Sequence, residues 1–175
     1  MERIDSRVVY ENAWMTVRED RVRRVDGSAG VYGVVDKPDF AVVLPLTDDG
    51  RFVLVEQLRY PIGRRAWEFP QGGWPAGRTG TAEELARTEL AEETGLRASS
   101  VVHIGHLFAA YGFCSQGFDV FLATGLTPGD HAREVTELDM RQDVVDRHEL
   151  AVMLRDGRLV DAPSVAALAL LDLLG

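Results

Sequence analysis

Cysteine is almost absent: the 175 residues hold one, Cys114. A single thiol excludes an internal disulfide framework and a cysteine-based zinc site, and it fits a reducing, cytoplasmic setting. A basic excess is missing too. The chain has 19 Lys and Arg against 28 Asp and Glu, a formal net charge of −9. That excludes nonspecific nucleic-acid binding and adhesion to an anionic membrane, both of which need a positive field. No apolar run is long enough to span a bilayer, the stretch Ala166–Leu174 included. The opening MERIDSRVVY has no apolar signal core. No Gly-Lys-Ser/Thr follows the glycine-rich loop Pro75–Gly80, so it is not a Walker loop. Internal repeats and low-complexity linkers are also lacking. What is present is 46% hydrophobic and 27% charged, the balance of an ordinary soluble domain with a substantial core.

The most informative stretch is TAEELARTELAEETGL, Thr81 to Leu96. Thr81 followed by Glu84 is a capping box, and Gly95 stands where a left-handed C-terminal residue belongs. At 100° per residue, Ala82, Leu85, Ala86 and Leu90 share a core-facing side, while Glu83, Arg87 and Ala91 point away. Glu89, Glu92 and Glu93 have i, i+3, i+4 spacing, and two of them fall on the apolar side. Carboxylates gathered there repel one another, more so when half-buried, and they oppose the helix dipole. A divalent cation removes both costs, and an all-oxygen ligand set suits Mg²⁺ or Mn²⁺. The alternative is an acidic surface patch, which the already polar outer face disfavours.

Preceded by FPQGG, the run ELAEETGL resembles the signature box of the Nudix hydrolases, whose pattern is G-x5-E-x7-R-E-U-x-E-E-x-G-U with U aliphatic. Glu89, Leu90, Glu92, Glu93, Gly95 and Leu96 match its second half. The box arginine falls on Thr88, because Arg87 is one position off. The first box glutamate falls on Arg78 or Gly80, because the loop after Gly72 is longer. With Thr88 in the arginine's place, another cation, Arg59 or Arg78, would have to brace the carboxylates. The resemblance extends to the ADP-ribose and nucleotide-sugar pyrophosphatases through NAWMTVREDRV, VYGVVDKPDFAVVLPL and Trp67-Glu68-Phe69-Pro70. It implies Glu89, Glu92 and Glu93 as metal ligands, with Glu93 also among the catalytic groups. It further implies a main-chain carbonyl at Gln71 in the metal shell and a role for Glu68 in holding substrate or metal. A catalytic glutamate is implied on the polar loop Thr127–Met140, Glu134 first and Glu137 second. Solvated loop acids are the alternative there.

Along the chain, residues 8–35 alternate as three short strands with little core of their own. By resemblance, residues 1–38 form a small antiparallel sheet that joins a homodimer, and residues 39–175 form the hydrolase domain. Phe40–Leu46 and Phe52–Leu58 read as a buried hairpin about Asp48-Asp49-Gly50. Arg59, Arg64 and Arg65 cluster in an acidic chain, and Arg59, at a strand end, is the one favoured for a diphosphate. Val101–Leu107 and Phe118–Ala123 read as strands about an aromatic loop. In that loop Tyr111 and Phe113 can stack on a base or sugar, with core packing as the equal alternative. Gly112 stands about where ADP-ribose pyrophosphatases often carry proline. His103, His106 and Cys114 read as structural or inert. Asp146–Glu149 reads as a second capping box, and Asp161-Ala-Pro163 opens a last, broadly apolar helix.

This order of elements fits an α/β/α sandwich around a mixed sheet. The function implied is metal-dependent hydrolysis of a diphosphate in a small-molecule nucleotide, ADP-ribose or another nucleotide sugar, giving two monophosphates. The rival is a nucleotide-binding sensor that keeps the fold and has lost turnover.

Overall fold

The structure is a computed structural model, and it describes residues 1–75, 77–129 and 139–174. Period-two alternation decides its layering. In β4 (Phe40–Pro45), Val42 and Leu44 face one way and Ala41 and Val43 the other. In β9 (Gly117–Pro128), Phe118 and Val120 oppose Phe121 and Ala123. Both faces are therefore apolar, as a strand covered on two sides requires. The two strands lie parallel, Phe40 beside Phe118 and Leu44 beside Leu122. With β7 (Gln71–Gly72) and β8 (Leu96–Phe108) they make a four-stranded mixed sheet, ordered β7-β4-β9-β8.

One face is covered by α1 (Ala82–Thr94) through Leu85, Ala86 and Leu90. The other packs on α2 (Arg147–Asp156), α3 (Ala162–Leu174) and a second sheet, through Leu150, Met153, Ala167 and Leu168. That second sheet is antiparallel, with order β10-β5-β6, from β5 (Phe52–Arg59), β6 (Arg64–Glu68) and β10 (Arg141–Val145). Ahead of the sandwich, β1 (Glu2–Glu11), β2 (Thr16–Arg23) and β3 (Ala29–Asp36) form an antiparallel meander. It is tied to the sandwich where Val35 N–H donates to the Phe113 carbonyl and Ser115 N–H to the Val35 carbonyl. No helix among the described residues is long and apolar enough to cross a membrane.

Three expectations are corrected. β4 and β5 are not a hairpin: beyond the single bridge Leu46–Phe52 they part into different sheets. β4 instead pairs with the distant β9, and β5 with the adjacent β6 and the distant β10, so the turn at 47–51 becomes a corner of the sandwich. Ala91 is buried although its position on the helix wheel points outward. At α2 the cap is one-sided: Asp146 accepts the Glu149 N–H at 2.8 Å, but the Glu149 side chain binds Arg158 instead of closing a box.

Candidate functional site

The capping box at α1 forms as the residues dictate. Thr81 Oγ1 accepts from Glu84 N–H at 3.1 Å and Glu84 Oε2 accepts from Thr81 N–H at 2.8 Å. Gly95 closes the helix at φ 70°. These two ends fix the length of the helix, and the packing of Leu85, Ala86 and Leu90 on the sheet fixes its rotation and the direction of its acids. Glu89 and Glu93 are buried, at 7% and 1% exposure, and Glu92 is half-buried. No basic residue stands in the last turn to answer the helix dipole.

Across from the helix, β7 supplies backbone in place of side chains. Gln71 N–H donates to Glu93 Oε2 at 3.1 Å. At Gly72 a Cβ would fall 2.5 Å from Glu89 Oε2, so only glycine lets that carboxylate lie against the strand. The Gln71 side chain donates to Asp161 Oδ2 at 2.9 Å. Asp161 in turn caps α3, accepting from Ser164 N–H and Oγ at 2.9 and 2.7 Å, while Ser164 Oγ accepts the Phe69 N–H at 2.9 Å. This chain of bonds pins the Glu68–Gly72 segment to the start of the last helix.

Glu68 is 1% exposed. Its carboxylate accepts from Gln57 at 2.7 Å and from two nitrogens of Arg59, Nε at 2.8 Å and Nη2. Burial pushes the Glu68 carboxyl above its ordinary range, and Arg59 offsets part of that rise. Burial alone would lower the Arg59 guanidinium, but Glu68, with Glu93 and Asp161 nearby, holds it above its usual value. Glu68 is therefore the anchor that orients Arg59.

The three helix acids line one recess of about 390 Å³ together with Gln57, Arg59 and Gln71. It opens into a cleft of about 730 Å³, with Trp14, Arg59, Gly72, Trp74 and Arg78 lining both. Among the described residues no three acidic, histidine or cysteine side chains close on one point as a ready-made metal site. The donor set still fits a hard divalent ion, because Mg²⁺ takes one or two carboxylates and completes its shell with water and substrate phosphate oxygens.

Of the other expected residues, Tyr111 lines a separate apolar recess of about 370 Å³, which adjoins the cleft through Ala109 and Pro163. Phe113 lines none of the three recesses; its main chain pairs with Val35 and its ring is exposed. Glu134 and Glu137 lie outside the described residues. Arg65 pairs with Glu56 and Asp139, away from the cleft. Thr88 Oγ1 donates back to the Glu84 carbonyl at 2.9 Å, and Arg87 binds Glu83 on the outer face. The guanidinium of Arg59 is bonded to Glu68, and that of Arg78 lies on the Trp74 ring. Trp14, Trp74, Asp161 and Ser164 were not marked as site residues by the sequence. Of these, Asp161 alone left a signal, as the cap before Ala-Pro-Ser.

A family model described as the NUDIX domain matches residues 36–168, and one described as the nucleoside diphosphate sugar hydrolase N-terminal domain matches residues 1–35. An ADP-ribose pyrophosphatase of Mycobacterium tuberculosis (strain ATCC 25618 / H37Rv) is 32% identical over 171 residues, covering 94% of this chain and 80% of that protein. An ADP-ribose pyrophosphatase of Bacillus subtilis (strain 168) is 32% identical over 149 residues, covering 85% of this chain and 80% of that protein. A crystal structure of an ADP compounds hydrolase shares the fold, with a TM-score of 0.85 at 20% identity over 98% of this chain and 93% of that one.

Proposed function

The chain belongs to the Nudix hydrolases, and from that premise we propose that it cleaves the diphosphate of a nucleoside diphosphate derivative, ADP-ribose first and other nucleotide sugars next. The observation that carries this is the acidic recess opening directly into a cleft large enough for a nucleotide. Glu89, Glu92 and Glu93 would hold Mg²⁺, or Mn²⁺, with the Gln71 carbonyl beside them. When bound, the ion supplies polarisation of the phosphoryl oxygens and a more acidic water.

The chain's own residues do the rest. Gly72 keeps the strand close enough for the diphosphate to approach Glu89. Arg59, set by Glu68, faces the developing negative charge. The water oxygen bonds to one phosphorus, the bridging oxygen leaves with the other phosphoryl group, and a proton passes to a loop carboxylate, Glu134 before Glu137. Tyr111 extends the site toward a base or sugar. We extend the proposal to a cytoplasmic homodimer joined by the N-terminal sheet, where β1 is exposed throughout and Ile4, Val8, Val9 and Tyr10 offer apolar surface. The rival sensor reading draws on Thr88, which binds the helix backbone and brings no cation to the acids.

A panel of nucleotide sugars and dinucleotides with Mg²⁺ or Mn²⁺, reading both products, separates the two readings. Glu93→Gln is expected to lower turnover by about 10²–10³-fold, with the unfolding temperature little changed. Turnover at the parental rate in that variant would sink the assignment.

A further inference from the structure

Gly80 stands in one of the two places open to the first box glutamate, and Trp74 accounts for it. A Cβ at Gly80 would lie 2.7 Å from the Trp74 indole and 3.0 Å from Glu84 Oε2. Glycine at 80 therefore makes room for a tryptophan that packs on the cluster beneath α1. Over the same indole lies Arg78, its guanidinium carbon 4.6 Å from the ring centroid. Arg78 N–H closes a turn on the Pro75 carbonyl at 3.0 Å, with Gly77 at φ 83°. Glycine, tryptophan and turn together aim one cation.

Among the described residues, three basic side chains line the cleft: Lys37, Arg59 and Arg78. Lys37 does not reach the acidic recess, whereas Arg59 and Arg78 line both. Arg59 is bound to Glu68 through two nitrogens. Arg78 has no carboxylate partner among the described residues. A guanidinium stacked on an aromatic face keeps its N–H edge for an oxyanion, and stacking reduces the entropy lost when it binds. We propose that Arg78, laid on Trp74, grips the substrate diphosphate where the cleft meets the acidic recess. This rests on the diphosphate-cleaving reading above, and it gives Arg78 a part in choosing substrates by charge.

The test uses the whole chain with Mg²⁺ and two probes, the non-hydrolysable α,β-methylene ADP-ribose and uncharged adenosine, read by calorimetry. Arg78 is exposed, so Arg78→Gln is expected to keep the parental unfolding temperature. It should bind the methylene analogue about 10- to 100-fold more weakly, as loss of a charge-assisted bond implies, with adenosine affinity unchanged. The KM for ADP-ribose should rise in step while kcat stays within about twofold. Arg78→Lys should recover part of the loss and Trp74→Leu should show part of it. Equal affinity of Arg78→Gln and parent for the analogue, equal losses for analogue and adenosine, or no binding of the analogue by the parent would each overturn the inference. Binding is read without turnover. A parent that binds the analogue but leaves ADP-ribose intact counts against the enzyme reading alone, and the affinities still decide Arg78.

Discussion

Every residue of β1 is exposed, whereas Ala41–Leu44 of β4 and Phe52–Val55 of β5 have 1% exposure or less. The N-terminal meander is held by ladder bonds and by ion pairs across its strands: Arg7 with Glu19, Arg21 with Asp5, Arg18 with Asp36. The sandwich is held by apolar packing on both faces of β4 and β9. The first two of these pairs are exposed, and exposed pairs are individually weak and screened by salt, while apolar packing is not screened. The same secondary structure thus has two kinds of cohesion. The packed kind carries the helix acids and the Arg59–Glu68 pair. The ion-paired kind leaves apolar side chains exposed.

Substitutions should separate the two regions. The largest effect is expected at Phe52, fully buried between sheet and helices and edge-on to Phe69. Phe52→Ala should cost about 3–5 kcal/mol in denaturant unfolding. Val8→Ala in β1, on diluted protein, should stay within about 0.5 kcal/mol. Similar costs at the two positions would erase the distinction. Next in size is assembly: Val8→Asp should shift a dimer to monomer in sedimentation without changing turnover per chain. A parental chain that sediments as a monomer would remove the dimer proposal.

The smallest effect is in pH, and its sign should differ between the regions. Arg21 holds the Asp5 carboxyl below its ordinary 3.8, so that pairing supports the meander above this value and is lost as pH falls through the lower folded-state value. Burial holds Glu68 above its ordinary 4.5, so ionising it weighs against the fold increasingly as pH rises from 4.5 through the higher folded-state value. Acidification to near 4.5 should therefore raise amide protection around β6, measured against the intrinsic exchange rate at each pH. Going below 3.8 should lower protection in β1 and β2 on the same scale. Parallel trends in both segments would contradict the assignment.

What the sequence showed plainly was local. Thr81, Glu84 and Gly95 fix the ends of α1 within one stretch, and the inward turn of Glu89 and Glu93 follows from the side they share with Leu85, Ala86 and Leu90. The hairpin reading of β4 and β5 failed because a strand apolar on both faces carries no mark of which partner it takes, and β9 lies far along the chain. The Glu68–Arg59 pair was hidden for a similar reason: its partners meet only once β5 and β6 align Leu58 with Arg65 and Val55 with Glu68. Gly80 could be read as a missing glutamate, but not as the space that Trp74 fills.

The parallel pairing of β4 with β9 also sets an order of events during synthesis. Residues of β4 leave the ribosome well before Phe118 and its neighbours are made, so the central sheet waits for a late arrival, and such non-local contacts form slowly. The meander, by contrast, can pair as soon as Asp36 emerges. The bonds from Asp161 and Ser164 to Gln71 and Phe69 come later still, with the start of the last helix. A nascent chain that stalls before Asp161 carries every acid of α1 but lacks the clasp that holds β7 against them.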